Sequence, residues 1–294
     1  MGAPAPSSSP AVPPRVSAII SDQELSSSVD QLPPVISVLR RLLAVMRDPN
    51  SDVADIARLV RADTALAVQT LRLANSPHYG LHERVGSVEE AIQHVGINEV
   101  MRMVSALGTR QVVSRELPVY RLSASLHWQH ALAVAVAGEK VAERYLLDGG
   151  AIYLSGLLHT VGMVAINGIA TARRLPARPE GMPLREWERA TFGAENPEIA
   201  GRVMRVWNFP EDLAATVAAR YTTPAPGSLS HPGTSLFLAS AVAEKIPAGL
   251  PVEQGIFQLT PEQVAAIGLG TEGLPELEFS SLQLFSRVRA MLNF

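Results

Sequence analysis

One histidine stands where this chain could do chemistry. His159 lies in the apolar, helix-like run AIYLSGLLHTVGMVAIN (Ala151–Asn167) and is followed by Thr160, Val161 and Gly162. An imidazole delivered by a buried helix can ligate a metal, move a proton or fill a polar gap in a core. Metal-assisted hydrolysis asks for more, because hard ions want carboxylate oxygens around the water they activate. The residue beside His159 is a threonine. Two more imidazoles, His127 and His130, stand one helical turn apart and so share a face. His127 is expected at the helix surface or the edge of the core. Ser155 and Ser240 lie in apolar helices with no base in reach by spacing. There is no cysteine, which excludes thiolate catalysis and thiolate metal sites. No Walker loop, dinucleotide glycine fingerprint or nucleophile elbow is present.

The elements that must position these residues are helical. From Val35 onward nearly every apolar residue recurs at three or four positions. Val35, Val38, Leu39, Leu42 and Met46 form one helix face, stopped by Asp48-Pro49-Asn50. Asn50 or Ser51 can cap the next helix, Asp63 a third, and Ser87 with Glu90 reads as a capping box. Asn98 is expected to cap a longer helix through Leu107. Gly80 suits a turn that needs positive φ. These five helices predict an N-terminal bundle over 16–114. Ser123–Tyr145 is the longest periodic segment. Helices are further expected over Leu184–Phe192, from Asn196-Pro197 to Trp207, from Phe209 to Tyr221, over Thr234–Lys245 and over Ser280–Leu292. Trp128, Trp187 and Trp207 suit core anchors. The fold class is therefore all-α.

Composition bounds the rest. The 294 residues are 47% hydrophobic and 18% charged, enough for a sizeable core. A formal charge of −3 gives no global reason to bind nucleic acid or an anionic membrane. No apolar run is read as long enough to span a bilayer, and the start lacks the basic-then-apolar order of a secretory signal. A cytoplasmic setting is expected. Residues 1–15, rich in Pro, Ala and Ser, read as a disordered tail.

The ordered combination of Leu32-Pro33-Pro34, Asp48-Pro49, the Asp63 to Gly80 segment (DTALAVQTLRLANSPHYG) and Ser87/Ala91-Ile92/Gly96 resembles the HDOD domain, the HD-related output domain of bacterial signalling proteins. The resemblance runs from Leu32 to Ile246. It implies a first bundle packed on a half (115–246) similar to HD phosphohydrolases, with 247–294 as a helical extension. Those enzymes hold metal with a His, a His-Asp pair and a distal Asp. By the resemblance, His130 and His159 fall at the two histidines, Thr160 replaces the paired Asp and Ser240 the distal one. Later histidines of some members fall on Asn196 and on Ala219-Arg220-Tyr221. Two imidazoles without carboxylates imply no metal, no cofactor and no catalysis.

The leading expectation is a non-catalytic regulatory module that binds signalling proteins. An alternative is a sensor binding a small anion or nucleotide, such as cyclic di-GMP, in a vestigial pocket of His130, His159, Thr160, Tyr221 and Ser240. A metal-dependent phosphohydrolase with unusual ligands is the third. The groove between the two halves is expected to be the largest cavity.

Overall fold

The computed structural model describes residues 19–29, 35–48, 50–80, 83–225 and 232–292, and most of them are helical. Among them strand pairing is limited to one isolated bridge, Leu117 to Leu122. The expectations for 1–15 and Leu32-Pro33-Pro34 lie outside the described residues.

The first helices are α1 (Asp22–Val29), α2 (Val35–Arg47), α3 (Val53–Arg61), α4 (Thr64–Ala74), α5 (Val88–Val95) and α6 (Ile97–Val113). Asp63 caps α4 as expected, and Gly80 takes φ 57°. Three caps differ from expectation. Asp52, not Asn50 or Ser51, caps α3 through a reciprocal box with Asp55. Ser87 accepts from Glu90 N–H, but the Glu90 carboxylate turns to Gly86 N–H. α6 begins at Ile97 behind Gly96, so Asn98 is already inside it.

Then follow α7 (Ala124–Tyr145), α8 (Gly149–Leu158), α9 (Val161–Ala172), α10 (Leu184–Phe192), α11 (Asn196–Val206) and α12 (Glu211–Ala218). The last are α13 (Pro232–Ala243), α14 (Pro261–Ala266) and α15 (Gly273–Met291). α15 begins seven residues before the expected Ser280. The apolar run 151–167 holds two helices: the buried one that delivers His159 ends at Leu158, and α9 starts at Val161. Contrary to the sequence reading, Gly149–Ala172 is long and apolar enough to cross a bilayer, with mean hydropathy 1.5. In the fold, 89% of that window is buried inside the protein, against α7, α11 and α12.

α7 is buried on nearly every side, from His127 to Gly138, which makes it the central helix. α8 packs along it so closely that a Cβ on Gly156 would stand 2.5 Å from Ala135 Cα. The first bundle has its own core of Leu42, Ile56, Val60, Leu66, Ile92 and Val104. α2 and α6 join the two halves: Leu42 and Val104 serve the bundle, Leu39 and Met103 the main core. Arg47 on α2 also bonds Asp148 and Asp212 on the far side. α1 does not belong to the first bundle. It packs on α9 and α11, with Glu24 paired to Arg173 and Asp22 to Arg202.

α15 belongs to the expected C-terminal extension. It lies across α7 and α13 and reaches α6 through Arg287–Glu99. A cleft of about 720 Å³ opens between α4, α6 and the end of α15, whereas the α6/α7/α8 junction leaves about 290 Å³. The expected groove is smaller because Arg102 of α6, bridged to Glu99 and Glu139, packs into the junction.

Candidate functional site

α7 supplies His130, the break after α8 supplies His159, and α13 supplies Ser240. The imidazoles of His130 and His159 meet edge to face with ring centroids 5.1 Å apart. His130 Nδ1 faces Ala248 O at 3.1 Å and His159 Nδ1 faces Gly156 O at 2.6 Å. A carbonyl only accepts, so each Nδ1 carries a proton. Both Nε2 atoms are buried without a hydrogen bond.

Between them lie two residues that sequence reasoning did not place in the site. Arg220, at the end of α12, donates from Nε to Ser240 Oγ at 2.9 Å and through both terminal nitrogens to Glu253 at 2.7 Å each. Ser240 Oγ in turn donates to Leu236 O. Glu253 comes from a one-turn 3-10 segment, Pro251–Glu253, beyond the expected limit of the domain at 246. Its Oε2 is 3.4 Å from His130 Nε2, an electrostatic contact longer than a well-formed hydrogen bond. Arg220 also lies over the Phe257 ring at 4.5 Å.

Tyr221 faces the other side of Glu253. Its hydroxyl donates to Glu253 Oε1 at 2.8 Å and accepts from Asn196 Nδ2 at 2.8 Å. Asn196 in turn donates to Glu188, which also receives Tyr120 O–H at 2.8 Å. Thr160 leaves this group. Its Oγ1 is 2.7 Å from His127 Nε2, and His127 is fully buried instead of lying at the core edge as expected. So the fold gathers His130, His159, Tyr221 and Ser240 around Arg220 and Glu253, and turns Thr160 to His127.

Electrostatics follow from closure. His159 is held well below the ordinary imidazole pKa by burial, then by the Arg220 charge. Burial alone would raise the Glu253 carboxyl, but Arg220 and His130 override it and hold the group well below the carboxylate range. His127 falls to about 4 through burial. Burial raises Glu188 to about 7 against its hydrogen bonds from Asn196 and Tyr120.

By donor type, His130, His159 and Glu253 fit a metal. Their ligand atoms lie within 4.8 Å of one another, two histidines and a carboxylate are a set that zinc uses, and backbone carbonyls orient both rings. By charge they do not fit one. Both Glu253 oxygens are held by Arg220, and a dication roughly 5 Å from a guanidinium is repelled by about 7 kcal/mol at an effective dielectric of 20. The guanidinium supplies the positive charge that a metal would bring. The group is closed to solvent: His159, Thr160, Ser240 and Arg220 are 0% exposed and Glu253 2%. Ser155 has no base, and its hydroxyl is buried without a partner.

The chain is a first helical bundle packed on a second helical half, with Arg220 beside the histidines. The HDOD domain matches residues 32–223, and the chain belongs to that family. Among solved structures it is similar to an HDOD domain protein of unknown function from Geobacter sulfurreducens, at TM-score 0.69 and 21% identity, covering 93% of this chain and 97% of that one. A protein provisionally described as a signal transduction protein, from Marinobacter aquaeolei VT8, aligns at TM-score 0.67 and 21% identity, covering 92% and 64%. A protein provisionally described as a metal-dependent phosphohydrolase, from Shewanella amazonensis SB2B, aligns at TM-score 0.54 and 19% identity, covering 90% and 95%. An uncharacterised protein of Treponema pallidum (strain Nichols) is 22% identical over 237 residues. That match takes in 78% of this chain and 45% of the relative, so the chain spans about half the relative's length.

Proposed function

We propose that this HDOD protein is a non-catalytic signalling module that acts in the cytoplasm by binding other proteins. The observation that carries the reading is the Arg220–Glu253 pair, which fills the HD-like site with the protein's own cation and anion. A hydrolytic site needs an ion with an open position for water; here the position is closed and its charge already balanced. The family's place in signalling supplies the output, and the helical surface is what remains to deliver it.

The sensor reading with a ligand among His130, His159, Thr160, Tyr221 and Ser240 has no support from this geometry, because entry would have to break the buried pair. The test is hydrolysis of cyclic di-GMP and of bis(p-nitrophenyl) phosphate by the whole protein with Mn2+, Mg2+ or Zn2+. Rates at background support the proposal. Turnover that disappears in His159→Ala overturns it.

A further inference from the structure

The 290 Å³ cavity at the junction of the two halves is lined by Arg102 and Ser105 of α6, Glu139 and Glu143 of α7, and Gly149 and Gly150 of α8. Its carboxylates are already engaged. Both Glu139 oxygens accept from Arg102, and both Glu143 oxygens accept from Lys140. Asp148, which caps α8, accepts from Ala151 N–H and is paired to Arg47. The donors are not engaged. Ser105 is 5% exposed, yet its hydroxyl bonds no described residue. Thr109, one turn on, returns its hydroxyl to the Ser105 carbonyl; Ser105 makes no such bond to Met101, and its side chain lines the cavity. Gly149 and Gly150 are the first two residues of a ten-residue helix. Their N–H groups precede the first intrahelical bond, from Ile152 N–H to Asp148 O, and bond no described residue. Neither glycine carries a side chain that would cover these donors.

We propose that this junction cavity binds a small oxyanion, a carboxylate or phosphate group, through the Ser105 hydroxyl and the N–H groups of Gly149 and Gly150. Open donors in a wall whose carboxylates already have their cations call for an acceptor-rich ligand, and an unmade bond to a buried donor is costly. Backbone N–H groups at a helix start favour negative charge. Arg102 also keeps an N–H on each terminal nitrogen beyond those given to Glu99 and Glu139. The volume is at the lower edge of the roughly 300–1,000 Å³ of small-ligand sites, which suits a small ion. An occupant would touch α6 and α8 at once and tie the first bundle to the main half. The site is separate from the Arg220 pair, and either reading can fail without the other.

The experiment is titration of the 15N-labelled full chain with inorganic phosphate, succinate and glycerol, read at the Gly149 and Gly150 amides by NMR. Saturable shifts with phosphate or succinate are expected, and the tighter of the two assigns the anion as phosphate or carboxylate. Ser105→Ala should weaken binding about ten-fold or more, because it removes a hydrogen bond to a charged group. Gly149→Pro deletes one N–H and should weaken it similarly, read at Gly150. Proline suits this first helical position, Asp148 before it is already extended, and a Cβ on Gly149 would meet only Ala142 Cβ at 3.8 Å. Melting curves should therefore show both variants folded. Ser155→Ala, a buried serine elsewhere on α8, should leave binding unchanged. Absence of binding by both anions overturns the proposal, as does binding that survives the double Ser105→Ala/Gly149→Pro variant. Glycerol binding as tightly as either anion overturns the oxyanion assignment.

Discussion

Arg220 and Glu253, 33 residues apart in sequence, meet through two 2.7 Å hydrogen bonds with 0% and 2% of their side chains exposed. The fork-to-carboxylate geometry satisfies both oxygens, and Ser240 and Tyr221 take up the remaining donor and acceptor capacity. Breaking such a pair strands one charge in the interior, which costs about 3–5 kcal/mol. Arg220→Met and Glu253→Leu should each destabilise by that amount in urea denaturation. The double Arg220→Met/Glu253→Leu variant should recover much of it, because replacing both partners removes the stranded charge. A double variant as unstable as the sum of the singles would contradict a coupled pair.

The pH response separates two buried groups of opposite sign. Glu188 titrates near 7 when folded and near 4.5 when unfolded, so the folded chain binds the extra proton between those values. Stability from this group therefore falls as pH rises from 4.5 through 7, by about 3 kcal/mol. Against wild type, Glu188→Gln should gain up to that amount between pH 4.5 and 8. A stability difference that does not vary with pH would remove Glu188 from the explanation.

His127 works the other way. Its folded pKa of about 4 lies below 6.5, so its contribution is complete above pH 6.5 and lost as pH falls towards 4. His127→Gln should become more stable relative to wild type over that window, by about 3 kcal/mol. Thermal melts at pH 7 and pH 4.5 read the change. An unchanged gap at both values would mean that His127 is protonated in the fold.

Close helix approach sets the position of the network. A Cβ on Gly162 would stand 1.9 Å from Asn196 O and 2.8 Å from Ala200 N, so α9 and α11 must part. Gly162→Ala should cost about 1–3 kcal/mol or more in urea denaturation, and it shifts Asn196, which links Glu188 to Tyr221. Gly270→Ala, where nothing lies within 4 Å, is the control expected to be near neutral. Equal effects of the two substitutions would show that the contact yields easily.

Helical class was legible because 3.6-residue spacing repeats in nearly every segment, and Asp63 caps where its type predicts. His130, His159 and Ser240 could be placed because the family pattern surrounds them. Glu253 could not. It is one carboxylate in LPVEQG, with no period or partner in its neighbourhood, and only the return of the chain over α7 and α13 brings it to Arg220. Arg220 had a position but no role, because an arginine in a helix reads as solvated until its carboxylate is known. Thr160 pairs with His127 because the backbone breaks between α8 and α9, and nothing in the spacing joins Thr160 to a residue 33 positions away.

The most direct measurement is zinc binding by the whole protein, followed by elemental analysis and Co2+ absorption, in wild type and Arg220→Ala. With the guanidinium in place, wild type should hold no stoichiometric metal. Arg220→Ala frees Glu253 to join His130 and His159, and should take up about one zinc per chain, lost again in Arg220→Ala/His159→Ala. One tightly held zinc in wild type, lost in His159→Ala, would contradict the assignment of Arg220 as the cation of this site.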